Sequence, residues 1–396
     1  MRQNPFVLVA SAIVFAGAFL AGCAGGAPPT GEPPEKQAPR DLKAVVDQGI
    51  AFLVARQNRD GSWGSFETLR PSEIYLDTVA SHDAFRNATS SLCCMALMQV
   101  ALEREDACAA LHRGMRYLMK EEAVPRATSS TFYDTWAHCF TLQCFSRMIL
   151  LRDPAFSRDE LVAAAERWLR ALRLMQGADG GWGYYDFGFG LRQPSGLLST
   201  SFLTATALCA MWDAERAGIE VPGDMKRSAI ATLVRYRTPD KTYVYATDSE
   251  LHPGWEFNRP KGALGRSQAP NLALFLYGGA VSEADIMLGL DRMFEEHHFL
   301  AMARCRPWPH ETWYYNSGYY FLYGYFNAAA VIGWLPRETQ KKYWDAVVRN
   351  LLPIQESDGS WWDFPFYGYY KEYGTAFALL ALVPARDFAD LRVPPR

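Results

Sequence analysis

An all-α ring of paired helices, a single α/α toroid of six helix pairs, is the fold the sequence predicts, and three observations predict it. A short segment recurs with its glutamine, aspartate, glycine and tryptophan in register. Its copies are separated by near-multiples of sixty residues. Between them, a charged amphipathic helical pattern alternates with a far more apolar one, as an outer ring around an inner ring requires.

The recurring segment is clearest at Gln57-Asn58-Arg59-Asp60-Gly61-Ser62-Trp63-Gly64, Gln176-Gly177-Ala178-Asp179-Gly180-Gly181-Trp182-Gly183 and Gln355-Glu356-Ser357-Asp358-Gly359-Ser360-Trp361. The aspartates lie 119 and 179 residues apart, two and three steps of sixty. Degenerate copies fill the gaps. Tyr236–Tyr243 sets Asp240 and Tyr243 61 residues after Asp179 and Trp182. Gly114–Leu118 echoes Gly49–Leu53 without its turn, and the stretch 291–300 is a copy by spacing alone.

Each copy opens with an amphipathic helix, expected near 41–57, 108–121, 158–176, 225–237, 282–297 and 338–355. In the third, Leu161, Ala164, Ala165, Trp168, Ala171, Leu172 and Met175 fall on one face. The Asp-Gly turn follows, where glycine reaches backbone angles closed to other residues. The second helix of each pair, near 90–103, 135–150, 199–217, 268–280, 317–333 and 372–383, is apolar nearly all round and so belongs inside.

The N-terminus is a different kind of segment. Arg2 precedes the fourteen-residue apolar run Phe6–Phe19, and Leu20-Ala21-Gly22-Cys23 closes it. Such a run is short for a membrane span and suits the core of a signal peptide. The last four residues resemble the lipobox of bacterial lipoproteins. Residues 1–22 are therefore expected to be removed and Cys23 to carry lipid, anchoring an exported chain to the membrane of the cell envelope. Residues 23–40, rich in Pro, Gly and Ala, read as a tether without enough apolar surface to order it. The toroid is expected over 41–390.

Net charge is −3 and basic residues form no cluster, so nucleic acid is excluded as a partner. Export permits disulfides, yet most of the cysteines after Cys23 lie in apolar helical runs and read as buried thiols, with room for one oxidised pair.

The repeated glutamine, Asp-Gly and tryptophan resemble the QW motif of squalene cyclases and the repeats of protein prenyltransferase β-subunits, a likeness covering nearly all of residues 41–385. The last two repeats also resemble bacterial repeat proteins of planctomycete type. The resemblance implies a terpenoid cyclase/prenyltransferase-like toroid in which glutamine and tryptophan tie outer to inner helix and are not catalytic. The acidic Asp-x-Asp-Asp that protonates an alkene in the cyclases does not occur here. The prenyltransferase zinc set, Asp-x-Cys followed by a histidine one repeat later, finds only Asp106-Ala107-Cys108, which reads as a helix cap and a packed thiol. His297-His298 points two ways from one helix and reads as a solvated or capping pair. No metal and no cofactor are expected.

Two constellations carry chemistry. Asp134 and His138 open the second inner helix at i,i+4 spacing, so a carboxylate could orient an imidazole base; equally, Asp134 could cap the helix and His138 bond a neighbouring turn. Trp313, Tyr314, Tyr315, Tyr319 and Tyr320, then Tyr367, Tyr369, Tyr370 and Tyr373, crowd the openings of the last two inner helices. With Tyr133, Trp136, Tyr184 and Tyr185 they would converge at one mouth, suited to a small apolar or sugar ligand, or simply filling the barrel end. Glu311, Asp363 and Glu372 are the acids near by. Three functions stay open: a ligand- or partner-binding lipoprotein, a terpenoid cyclase- or isomerase-like enzyme with a nonstandard acid, and a carbohydrate-active toroid enzyme working through mouth carboxylates.

Overall fold

A computed structural model describes residues 41–69, 79–122, 133–183 and 199–383. Cys23, Tyr184 and Tyr185 lie outside the described residues. Thirteen α-helices are present among those described: α1 (Leu42–Ala55), α2 (Val79–Met98), α3 (Glu105–Lys120), α4 (Asp134–Leu151), α5 (Arg158–Leu174), α6 (Ser201–Arg216), α7 (Gly223–Tyr236), α8 (Gln268–Leu276), α9 (Glu283–Glu295), the short α10 (His297–Ala301), α11 (Tyr320–Ile332), α12 (Arg337–Leu351) and α13 (Tyr370–Leu382). The inner ring runs α2, α4, α6, α8, α11, α13, and α13 packs back on α2. α1, α3, α5, α7, α9 and α12 cover it from outside, with α1 against both α13 and α3. The twelve-helix closed ring is as the repeats imply.

Local sequence sets the two helix types. In α5, Leu161, Ala164, Ala165, Trp168, Leu169 and Leu172 are buried while Arg158, Asp159, Glu160 and Glu166 are exposed. In α6 every residue from Ser201 to Ala214 is buried, as a helix enclosed on all sides must be. Asp41 caps α1 by accepting from the Ala44 N–H at 3.2 Å, and Ser282 with Asp285 forms a capping box on α9. One expected boundary is well off. α2 starts at Val79, eleven residues before Ser90, because its first turns carry polar side chains that hide the helical period. Asn87 there is buried and accepts the Tyr117 hydroxyl at 2.7 Å.

The repeated turn is the joint of the ring. Trp63, Trp182 and Trp361 are fully buried. Each indole N–H donates to the end of its own outer helix, at Leu53, Leu172 and Leu351 (2.7, 2.8 and 2.8 Å). Each backbone N–H donates to a hydroxyl of the following inner helix, on Ser90, Thr204 and Thr375 (2.9, 3.0 and 3.0 Å). The glutamines act in another direction. Their amides donate within the turn and to the next outer helix, at Ala110, Met225 and Val45 (2.9, 2.9 and 2.8 Å). Tryptophan thus ties outer to inner helix, and glutamine ties neighbouring outer helices, a division the family resemblance did not imply.

Glycine is obligatory in this joint. Gly61, Gly180 and Gly359 have φ of +97°, +90° and +87°, and a Cβ on any of them would strike a carbonyl of the next outer helix within 2.7 Å. The fourth copy keeps the same backbone bonds, Thr238 N–H to the Thr242 carbonyl and Lys241 N–H to the Thr238 carbonyl (both 2.9 Å), with Lys241 at φ +62° in the glycine's place. Arg237, where glutamine would stand, bonds the Ala280 carbonyl and pairs with Asp285 at 2.8 Å, again reaching the next outer helix.

The seven described cysteines are all free thiols, five of them buried, so the expected room for an oxidised pair is not used among them. Burial pushes the thiols of Cys93, Cys94 and Cys139 well up from the ordinary range.

Candidate functional site at the barrel mouth

Inner-to-outer connections are short (99–104, 152–157, 217–222, 277–282, 333–336), and outer-to-inner ones are long (56–78, 121–133, 175–200, 237–267, 302–319, 352–369). The inner helices are parallel, since N-terminal residues meet N-terminal residues: Phe202 of α6 against Tyr320 of α11, with ring centres 5.4 Å apart, is one such pair. The long connections therefore gather at one end, the mouth.

There the aromatic residues form one continuous network. Tyr315 packs edge-on to Phe257, and Phe257 to Tyr245 (6.3 and 5.8 Å). The Tyr320 hydroxyl bonds that of Tyr245 at 3.1 Å. Tyr319 touches Tyr320 and Phe364 (4.6 and 5.3 Å), Phe364 touches Phe366, and Phe366 touches Tyr133 and Tyr367 (6.1, 5.7 and 5.6 Å). Tyr373 packs on Phe85 and Phe377. Tyr314 sits at the rim against Phe299 and the Lys261 ammonium, and Tyr370 lies outside the network against Trp362.

Below the mouth the axis is filled. Trp136 of α4 meets Tyr323 of α11, three places round the ring, with ring centres 5.7 Å apart. Phe140 stacks beneath Trp136 and touches Phe377 of α13 (5.4 and 5.9 Å). The Tyr323 hydroxyl bonds Thr206 and the Phe202 carbonyl of α6 (2.9 and 3.1 Å). Trp136 is thus part of a plug spanning the barrel.

Asp134 and His138 face elsewhere. Two residues on from Trp136 in a helix is the opposite side, and the His138 ring lies 5.7 Å from Trp168 of outer helix α5. Both are fully buried, while Trp136 and Phe140 of the same helix take the axis. The pair and the mouth tyrosines are therefore on different faces of α4.

Asp363 is the acid inside the network. It is fully buried; one oxygen accepts from the Leu322 N–H in the first turn of α11 at 2.9 Å, the other from the Tyr373 hydroxyl at 3.3 Å. Burial pushes its carboxyl up to about 7, the bonds from Leu322 and Tyr373 pulling the other way. Glu372 has a different partner, the Arg56 guanidinium at 3.0 Å, and its carboxyl is raised by burial against that pairing. Glu311 is exposed. Among the described residues eight non-glycines have positive φ, and six of them, Tyr133, Cys305, His310, Tyr314, Tyr315 and Tyr367, lie in or beside the network. Such strain, roughly 1–3 kcal/mol each, persists where surrounding structure over-determines it. No local pattern announces these backbone angles at non-glycine positions.

At the far end, five inner helices (α4, α6, α8, α11 and α13), with Gln99 just past α2 and Trp344 of α12, line a cavity of about 160 Å3. Arg147 pairs with Asp213 at 2.9 Å and Gln143 reaches the same oxygen at 3.3 Å, beside Phe326 and Trp334. Small-molecule pockets run to roughly 300–1,000 Å3, so this space suits a few waters or a small ion rather than an isoprenoid chain.

Two expectations about histidine and cysteine need correcting. His297 is half-buried: it packs on Phe321 and Tyr325 and burial lowers its imidazole, while His298 beside it is exposed as expected. Nor is Cys108 simply a packed thiol: it and His112 on α3 come together with Asp153 from the next connection. The Asp153 contact spans 41 residues, beyond any local pattern. Asp106 does not cap α3; it pairs with Arg104 at 2.7 Å.

The family model for the squalene-hopene cyclase C-terminal domain matches residues 35–244, more than half of the chain. The chain belongs to this family of terpene cyclase-like α/α toroids. Among curated proteins, the drimenyl diphosphate synthase of Streptomyces showdoensis is 26% identical over 211 residues, which is 52% of this chain and 33% of the synthase, so only a third of that enzyme is represented. Similar solved structures include a protein from Actinoplanes (TM-score 0.52, 14% identity, 87% of this chain and 99% of that one) and the type II terpene cyclase MstE from Scytonema with geranylgeranyl dihydroxybenzoate (0.50, 14%, 88% and 97%). The cellobiose 2-epimerase of Spirochaeta thermophila is as similar (0.53, 12%, 87% and 97%). At these identities the structures establish the shared toroid and not a shared reaction.

Proposed function

We propose that this protein is a binding toroid, exported and lipid-anchored through Cys23, which takes a small apolar or sugar ligand among the mouth tyrosines and does not cyclise isoprenoid chains. The observation that carries the reading is the contact between Trp136 and Tyr323. A terpenoid chain needs a deep channel in which to fold, and aromatic rings occupy the axis where that channel would lie. His138, the imidazole expected to drive chemistry, packs on Trp168 of the outer ring, and the polar groups among the mouth rings include the tyrosine hydroxyls, Asp363, His310 bonded to Tyr319, and Arg266 over Tyr245 and Tyr320. The test is incubation of the purified chain with farnesyl diphosphate, geranylgeranyl diphosphate and squalene, followed by extraction and mass spectrometry. Unchanged substrates are expected, and a cyclised product would end this reading. Mass spectrometry of the mature protein from its host should find acylated Cys23 at the N-terminus; an unmodified cysteine there would remove the anchor.

A second reading rests on Asp363. A carboxyl raised to about 7 keeps its proton near neutrality and could protonate an alkene or a leaving group held against the aromatic rings. The likeness to the drimenyl diphosphate synthase favours isoprenoid chemistry for that alternative. Turnover of any of these substrates that disappears in Asp363→Asn would establish it.

A further inference from the structure

Far from the mouth, at the end where the inner-to-outer connections lie, three side chains converge on one point. Cys108 and His112 stand one helical turn apart in α3, on one face. Asp153 arrives from the connection after α4, where Arg152 at φ +57° turns the chain out of the helix. The Cys108 Sγ lies 3.5 Å from His112 Nε2, and the Asp153 Oδ2 lies 2.8 Å from that same nitrogen. All three atoms fall within 4.8 Å of one another.

The arrangement is not that of a nucleophile triad. In a triad the acid bonds one ring nitrogen and the nucleophile the other. Here thiol and carboxylate both address Nε2, which has either one proton or one lone pair and cannot satisfy both. A cation at the meeting point can. Tetrahedral bonds of roughly 2.0–2.3 Å put ligand atoms about 3.3–3.7 Å apart, so the sulfur–nitrogen distance already fits and the nitrogen–oxygen distance needs to open by about half an ångström.

The surroundings also suit a metal. The other carboxylate oxygen of Asp153 accepts the Ala155 N–H at 2.9 Å, which fixes the carboxylate's orientation. Phe156 packs edge-on to the His112 ring at 5.4 Å and walls one side. The His112 and Asp153 side chains keep 22% and 11% of their surface exposed, enough for an ion to enter and a water to complete its shell.

We propose that Cys108, His112 and Asp153 form a divalent-metal site of zinc type, with water as fourth ligand, that clamps the outer helix of the second pair to the connection leaving its inner helix. A thiolate and an imidazole select zinc over magnesium or calcium. As the sulfur–metal bond forms, the thiol proton passes to solvent, so affinity falls in acid. The site lies on the outer ring, and no ligand comes from the barrel.

Cobalt(II) titration of the chelator-stripped full chain tests this, with tetrahedral visible bands and a sulfur-to-cobalt charge-transfer band as readout. One equivalent should bind, zinc should displace it, and magnesium should not. Cys108→Ser should abolish the charge-transfer band, and His112→Gln and Asp153→Asn should each weaken binding at least tenfold. Cys305→Ser, altering the other partly exposed thiol among the described residues, should leave the titration unchanged. Circular dichroism of each variant reports folding, and Asp153→Asn, which keeps side-chain size, decides the matter if Cys108→Ser fails to fold. Absence of the charge-transfer band, its survival in Cys108→Ser, or undiminished binding by Asp153→Asn would overturn the proposal.

Discussion

The Gln355 amide donates to the Val45 carbonyl at 2.8 Å, joining residues 310 apart in the chain. It is the same bond that Gln57 makes to Ala110 and Gln176 to Met225 inside the ring. The seam between last and first outer helices is therefore built like any other joint. Gln355→Ala should remove this bond and that to the Gly359 carbonyl, leaving buried acceptors unpaired at about 2–3 kcal/mol. Gln57→Ala, less deeply buried, should lose about 1–2 kcal/mol. Urea unfolding measures both, and a near-neutral Gln355→Ala would mean the seam contributes little to holding the ring.

Gly49 sits in that seam. A Cβ there would come within 2.7 Å of the Trp361 ring and 3.1 Å of Leu379, and Gly114 stands in the same relation to Trp63. Gly49→Ala should destabilise by about 1–3 kcal/mol through overpacking, despite alanine's better helix propensity. A stabilised variant would show that the tryptophan slot can widen.

Lys241 pays for the left-handed conformation that glycine adopts freely in three sister turns. Lys241→Gly should stabilise the domain by about 1 kcal/mol, seen as a raised melting temperature. An unchanged or lowered melting point would show that the lysine side chain supplies an offsetting contact.

Asp363 should make stability depend on pH in an unusual direction. Its carboxyl is raised to about 7 in the folded chain from the ordinary 3.8, so the folded state holds a proton that the unfolded state has released between those values. Stability contributed by this residue is full below about pH 4 and falls as pH rises towards 7, by up to a few kcal/mol. Asp363→Asn removes the titration. Chemical denaturation at pH 4, 5.5, 7 and 8 should find the variant gaining on the parent as pH rises, and a constant difference would contradict a raised carboxyl.

Much of the ring was legible because its signals are local. The turn Gln355–Trp361 spells out its own backbone, and the apolar helix at 201–214 is buried on every side as its composition requires. The start of α2 was not legible, since the polar Asn87 finds its partner on a tyrosine thirty residues away. At the mouth, gathering of the tyrosines followed from parallel inner helices. The direction of His138 did not, because i,i+4 spacing fixes which residues share a face but not which neighbour that face meets. Cys108, His112 and Asp153 escaped for the related reason that the third member is supplied by tertiary contact.

The short connections have a consequence for the order in which the chain is read. Five of them carry the chain from an inner helix to the next outer one at the end opposite the mouth, and α13 ends and α1 begins at that same end, in contact with each other. A linker of a few residues from α13 to α1 would be a sixth turn of the same kind, and the polypeptide could then be opened at 217–222 without disturbing a joint. In such a rearranged gene any helix pair could be translated first. The architecture itself therefore singles out no helix pair as the first.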